Sequence, residues 1–246
     1  GPRALWMKRD SFLAKLGLAR VDEDGVARPT VAGVLLASPE PRRFLPNAFI
    51  QAVAYRGSTV VPASDDRDYQ LDAADLHGPI DRQVLDALRF VRRNMRVGAT
   101  KAVGRRDVPQ YDVTAVFEAL VNAVAHRDYS IHGSKIRLRM FADRLELATP
   151  GALPNTMSVE SLALRQAARN EVLTSMLART PIPDDVTRQE SERTSFMDKR
   201  GEGVAIILDR SEKLSGRRPL YQVVDDAEVQ LTIYAAGPGA AGETAG

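Results

Sequence analysis

The chain has 246 residues, 44% of them hydrophobic, enough to bury one large core or two modest ones. A net charge of +2 with a pI near 9.0 permits nucleic-acid contact without arguing for it. The absence of cysteine excludes disulfides and thiolate metal sites and suits a reducing cytosol. With no signal-peptide core and no apolar run near ~18–20 residues, the expectation is a cytoplasmic protein with no membrane partner.

Gly1-Pro2 resembles the scar of a cleaved tag, which would make the chain a fragment of something longer. Residues 5–18 read as a short amphipathic helix ending near Gly17, and Asp22-Glu23-Asp24-Gly25 as a turn. Two apolar runs follow, Thr30 to Ala37 and one within Phe44 to Tyr55. Periodicity leaves each either a strand or a buried helix. Prolines at 39, 41 and 46 enforce irregular structure between them. Residues 1–57 then form a small unit, and the small polar residues of 58–75 a linker.

A helix is predicted over about 79–96, with Ile80, Val84, Leu88 and Val91 in register and Arg92, Arg93 and Arg96 at its C-terminal end. Residues 98–109 read as a polar strand or loop. The next helix carries the most informative stretch, FEALVNAVAHRDY, over 117–129. Val113, Phe117, Leu120 and Val124 make its apolar stripe. Glu118 and Asn122 lie one turn apart on the other side, with Ala115 and Ala125 beside them and His126 a turn further on. Alanines there let another body approach closely. Glu can activate a water, and an Asn carbonyl is a hard ligand suited to Mg²⁺. The competing reading is an exposed polar face.

Lys135 to Met140 and Arg144 to Leu147 alternate strictly and read as a hairpin. Ile136, Leu138 and Met140 face inward, while Lys135, Arg137 and Arg139 form a solvated or nucleic-acid-facing stripe. Thr149 to Asn155 breaks the strand. Ser158 is the expected N-cap of a helix through about Ala178, with Leu162, Ala163, Ala167 and Val172 among its apolar positions. Residues 180–198 have the composition of a mobile loop. Gly201-Glu202-Gly203 then opens a helix capped near Gly216. A Gly-x-Gly at such an entry presents free N–H groups and the positive dipole end to an anion. Tyr221–Val224 and Val229–Tyr234 form a final hairpin, and 237–246 a disordered tail.

Several other patterns fail. No Walker A sequence is present, so no helicase motor. His126-Arg127-Asp128 imitates a kinase catalytic loop, but Gly133 stands where its Asn belongs. His126 and His132 lack a third soft ligand nearby, so His126 and Asp128 are expected to form a structural hydrogen-bonding cluster. Trp6 and the scattered tyrosines make no base-stacking platform.

The Glu-x₃-Asn helix, the glycine turn after a strand and the Gly-x-Gly before a helix, in this order, resemble the Bergerat-fold (GHKL) ATPases. More closely, EALVNAVAHRDYS, RLELATPGALPN and DKRGEGV resemble the C-terminal ATPase-like domain of bacterial proteins labelled RecG-like helicases or transcriptional regulators. There it commonly follows a Schlafen AlbA-type domain, and residues 1–57 resemble the end of such a domain. The resemblance covers about 5–56 and 75–235. It implies an α/β (α+β) two-layer sandwich, a mixed sheet covered by helices, with 76–236 as the GHKL/HATPase-like domain and a small N-terminal α/β remnant.

Carried over by motif, the resemblance implies Glu118 as general base and Asn122 as ligand to Mg²⁺ and the phosphates of ATP. Thr149, Gly151 and Leu153 would lie along the adenine and ribose. Gly201 and Gly203 would be lid glycines, with Lys199 or Arg200 near the developing charge. The group reads adenine with an Asp in Asp-x-Gly-x-Gly, and Thr149-Pro150-Gly151-Ala152-Leu153 holds no acid. Two functional readings remain open. One is a slow ATPase whose nucleotide state moves a lid and an attached DNA-binding domain. The other is a degenerate Bergerat module for homodimerisation or ligand sensing in a transcriptional regulator.

Overall fold

Alternation of apolar residues writes most of the central sheet. The computed structural model describes residues 2–61, 69–100, 106–154, 157–164, 167–183, 194–197 and 201–237. Six strands run in the order β4-β3-β7-β8-β10-β9: β3 (Ile50–Tyr55), β4 (Gln70–Leu76), β7 (Ile136–Met140), β8 (Arg144–Pro150), β9 (Leu220–Val224) and β10 (Glu228–Tyr234). Every pairing is antiparallel except β3 with β7, so the sheet is mixed. One continuous row crosses five strands in register: Ala52, Leu138, Leu147, Leu231 and Tyr221. Its first four members are buried, and the row forms the floor on which the helices sit.

The expected boundary near 57 does not divide this sheet. β3, at the end of the first unit, pairs with β7, and the stretch read as linker contributes β4. Its Gln-Leu-Asp-Ala-Ala-Asp-Leu breaks alternation at Ala73-Ala74 and so does not announce a strand; at the sheet edge it pairs on one side only. Arg93 Nε and Asn94 Nδ2 hold Asp72 at 2.8 and 2.7 Å, tying that edge to the helix below.

The helices are α1 (Pro2–Lys15), α2 (Val31–Ala37), α3 (Ile80–Asn94), α4 (Val113–His126), α5 (Glu171–Leu177) and α6 (Gly203–Ser215). Between α1 and α2, β1 (Ala19–Val21) and β2 (Ala27–Pro29) form a small ribbon around the expected Asp22–Gly25 turn. The two ambiguous apolar runs resolve differently. Thr30 caps α2, accepting from the Gly33 N–H at 3.1 Å, and Gly33 packs so close that a Cβ would overlap the Leu18 carbonyl. Ile50 to Tyr55 instead enters the sheet. Of the 98–109 stretch, β5 (Val97–Thr100) pairs antiparallel with β6 (Arg106–Pro109), and residues 101–105 lie outside the described residues.

α3 and α4 pack against each other, α3 over β3, β4 and β7 and α4 over β8, so that layer encloses the core. The basic stripe of β7 is less free than its spacing suggested: Arg137 is ion-paired to Glu228 at 2.5 Å.

The long helix expected over 158–178 is shortened to α5. Residues 158–164 are turns and Leu164 is exposed, while Leu173 and Leu177 are buried. Asn170 sets the new start. Its side chain donates to the carbonyls of Ala125 and Arg127 at 2.9 and 2.8 Å, closing the end of α4 rather than continuing a helix of its own. The ends of the 180–198 loop are pinned by a bridge between Pro181 and Ser195, with Phe196 buried against Phe117; residues 184–193 lie outside the described residues, as does the tail beyond 237.

Candidate nucleotide site

α4 supplies the site because its two sides are both covered. Asp112 opens the helix by accepting from the Ala115 N–H at 2.9 Å, and the same oxygen takes Arg210 Nε of α6 at 3.0 Å. The apolar stripe faces the core. The alanine-flanked side is not solvated: α6 packs on it, and Glu118 is only 3% exposed. The exposed-face reading is therefore overturned, and the approaching body is the helix that follows the Gly-x-Gly.

That approach is closest at Gly203. A Cβ there would stand 2.8 Å from Asn122 Nδ2 and 3.0 Å from Glu118 Oε2. α6 has no side-chain cap of its own. The Glu118 carboxylate lies against its amino end instead, where backbone N–H groups and the positive end of the dipole favour a negative charge. Asn122 Nδ2 is buried with no hydrogen-bond partner among the described residues. A half-turn of the amide would put its carbonyl oxygen, a hard ligand, in that place.

Beside this pair opens a cavity of about 440 Å³, within the range of small-molecule sites. Leu147, Leu231 and Tyr221 from the sheet row form its floor, and Ala119, Ala123 and Asn122 its helical wall. Glu118, Asn122, Thr149, Gly151, Leu153, Gly201 and Gly203 all line it, so seven of the residues singled out from the sequence meet around one space. Lys199 and Arg200 lie outside the described residues. No group of three among His, Asp and Glu comes together as a metal cage among the described residues. One carboxylate and one amide, as at the Glu118–Asn122 end, are fewer ligands than a dedicated protein cage for a divalent cation supplies.

The far end of the cavity is built where α4 and β8 finish together. The Asp128 N–H donates to the Pro150 carbonyl at 2.8 Å, bringing the His126–Asp128 turn against Gly151. Gly151 has φ 120° and no room for a side chain, with Asp128 Cβ 2.8 Å from where its Cβ would be. Asp128 accepts from Ser130 N–H and Oγ at 2.9 and 2.5 Å and from Arg169 at 2.9 Å. The Ser130 hydroxyl bond, opposed in part by burial, holds its carboxyl below the usual aspartate range.

Arg169 also donates to the Ala152 carbonyl and lines the cavity. The expected His126–Asp128 cluster thus has Ser130 and Arg169 as its members. His126 lines the cavity instead, and burial, then the nearby Arg169 charge, depress its pKa. Arg127 of the kinase-like triplet is buried, donating to the Ser134 carbonyl at 2.7 Å and stacked 4.8 Å over Tyr129. It ties a turn together.

Sequence reasoning missed Arg169 and Tyr221 as lining residues. For Arg169 the usable signal was Asn170, a cap-type residue immediately before the apolar Glu171–Leu177 run.

Three comparisons with known proteins bear on this site. Residues 133–233 match a family model described as "Putative ATP-dependent DNA helicase recG C-terminal", an ATPase-type domain. The match begins after α4, so Glu118 and Asn122 lie outside it. No curated protein matches the chain. Among solved structures, the DIP2311 protein from Corynebacterium diphtheriae is similar in fold, with a TM-score of 0.62 and 21% sequence identity over 93% of this chain. This chain covers 41% of the length of that one. The C-terminal region, from 133 to 233, is thus similar to an ATPase-type domain, set in a mixed α/β fold.

Proposed function

We propose that the cavity binds a nucleoside triphosphate with Mg²⁺, ATP being the ligand the likeness to ATPase-type domains favours, and hydrolyses it slowly. The observation that carries this reading is the Glu118–Asn122 pair, Glu118 buried and Asn122 half-buried, set against the amino end of α6 at one end of an apolar cavity. Phosphates would lie at that end, received by N–H groups of the Gly201–Gly203 turn. Asn122 would hold Mg²⁺ through its carbonyl oxygen, and the ion would neutralise phosphate charge. Glu118 is placed to take a proton from a water whose oxygen attacks the γ-phosphorus, the bond to the β–γ bridging oxygen breaking as ADP leaves. Thr149, Gly151 and Leu153 would border base and ribose, and Lys199 or Arg200 would face the transferred phosphoryl group. The nucleotide state would then move a lid carrying Gly201 and Gly203 and change the posture of an attached DNA-binding region, of which residues 1–57 would be the Schlafen AlbA-like end.

A second reading, a non-hydrolysing module for dimerisation or ligand sensing, draws on one observation. Among the described lining residues Glu118 is the sole carboxylate, so no acid faces the far end of the cavity. Calorimetric titration of Mg·ATP and Mg·ADP into the chain, repeated with Asn122→Ala, separates the two. Binding lost in the variant, with turnover abolished by Glu118→Gln, supports the ATPase. A folded protein that takes up no nucleotide at millimolar concentration sinks it.

A further inference from the structure

We infer that the end of the sheet where β3 and β7 begin and β4 finishes is a docking site for single-stranded nucleic acid. Arg42, Arg43 and Lys135 receive backbone phosphates there, and Phe44 stacks on a base. None of these residues lines the cavity, so the inference stands independently of the nucleotide reading.

Strand pairing brings three segments to that end. β3 and β7 run parallel from Ile50 and Ile136, which are partners, and Leu76 at the finish of β4 is also opposite Ile50. Phe49, Lys135 and His77 are the residues immediately outside those strands. They gather on one buried ring. Arg42 Cζ stands 4.3 Å and Lys135 Nζ 5.3 Å from the centre of the Phe49 ring, and the His77 ring is 5.2 Å from it. Arg42 Nε also donates to the Pro46 carbonyl at 3.0 Å, and the Asn47 amide donates to the His132 carbonyl, fastening the loop before Lys135. The cations are thus placed before any ligand arrives, which lowers the ordering cost of binding.

No acid among the described residues answers them. Arg137, Arg144, Arg169 and Arg210 each hold a carboxylate, whereas Arg42, Arg43 and Lys135 form no ion pair with a described residue. Arg42 Nη2 and Lys135 Nζ donate to no described residue, and Arg42 and Arg43 are exposed. Arg42 Nη1 lies instead 3.2 Å from Nε2 of His77, a second basic group. Burial first, then the Arg42 charge, lowers the His77 pKa, and Asp75, engaged by Gln51 at 3.2 Å, offsets this only in part. A phosphate beside the pair would favour the imidazolium and take the free guanidinium nitrogen. Phe44 follows directly on the short turn Pro41–Arg43 that carries both arginines. Its N–H donates to the Pro41 carbonyl at 3.0 Å, and it is 63% exposed. An exposed ring on an ordered turn beside such cations suits a single strand, because stacking needs an unpaired base, which neither a duplex nor a lipid headgroup offers.

The test is fluorescence anisotropy of a labelled oligothymidylate with the chain over a series of salt concentrations, repeated on Arg42→Gln, Lys135→Gln and Phe44→Ala. Arg217→Gln is the control, since Arg217 lies on Tyr234 at the opposite end of the sheet. Each of the two cation variants should weaken binding at least about threefold and reduce the slope of log K against log salt by about 0.7, the value for one single-strand phosphate contact. Phe44→Ala should weaken binding about fivefold or more and leave the slope unchanged. Thermal melts guard against unfolding, and Arg43→Gln serves if Arg42→Gln is unstable. Followed by NMR, the His77 ring should take up its proton at higher pH once the oligonucleotide is bound. No binding at low salt, equal affinity in all variants, or a duplex held as tightly as the single strand overturns the inference. So does capture by phosphatidylglycerol vesicles in place of the oligonucleotide. A His77 shift with inorganic phosphate, the oligonucleotide binding no tighter than that ion, overturns it as well. None of these outcomes touches the nucleotide reading.

Discussion

Gly203 rests on Asn122 with no space between them: a single added carbon at Gly203 would come to 2.8 Å of the Asn122 amide nitrogen and 3.0 Å of the Glu118 carboxylate. The contact joins the amino end of one helix to the middle of another. Both side chains would have to give way to any residue but glycine.

Gly203→Ala is therefore expected to cost about 1–3 kcal/mol, as overpacking does. The loss should be local. Amide hydrogen exchange in the first turns of α6 should accelerate, while α3, which packs on the other elements, keeps its protection. Unchanged exchange across residues 203–210 would mean that the α4–α6 contact is looser than described.

Gly151→Ala tests the opposite end of the cavity and should be more damaging. The φ of 120° is closed to an L side chain, and the new Cβ would meet Asp128 at both Cβ and backbone nitrogen, 2.8 and 3.2 Å away. Backbone atoms cannot swing aside as a side-chain tip can. A loss of roughly 2–4 kcal/mol in denaturant unfolding is expected. Gly216→Ala is the control: φ is 72° but nothing lies within reach, so its cost should stay near about 1 kcal/mol.

Asn170 joins α5 to the end of α4 by two hydrogen bonds, to Ala125 and Arg127. Asn170→Ala removes both and leaves two carbonyls at a helix end without their donor. A loss of about 1–3 kcal/mol follows, or roughly 2–12 °C in Tm for a chain of this size. Asn170→Asp, which retains shape but turns donors into acceptors facing carbonyl oxygens, should be no better. An unshifted melt in both variants would mean that α5 has no hand in closing the end of α4.

What the sequence discloses and what it hides divide along the range of the contacts. α4, the β7–β8 hairpin, the helix after Gly203 and the closing β9–β10 hairpin are each written in neighbouring residues, through helical stripes, alternation or a glycine at an entry or exit. The parallel pairing of β3 with β7 is not: Ile50 meets Ile136 across a long stretch of chain, and no local pattern specifies a partner. β4 escapes notice because its alternation breaks at Ala73-Ala74. At the site, motif spacing locates the Glu118–Asn122 end. The Arg169–Asp128 end arises from two segments far apart in sequence, neither carrying a motif for it.

The pH dependence of stability carries the last prediction. His126 has its pKa pulled below 6.5 by burial and then by Arg169, and His77 is lowered as well, by burial and then Arg42. In the unfolded chain both rings take up a proton near the ordinary value. Below pH 6.5 the unfolded state then binds more protons than the folded one, so stability falls as pH falls through that value toward the folded pKa. Asp128 acts lower down. Its folded pKa lies below 3.8, so its contribution is fully present above that value and is lost as pH falls through the folded pKa. Denaturant melts from pH 8 to 5 should show the histidine slope alone. His126→Gln, which removes one titrating ring, should flatten it, and His126→Gln with His77→Gln should flatten it further. A wild-type profile that is level from pH 8 to 5 would mean that neither ring is held below its ordinary pKa in the folded chain.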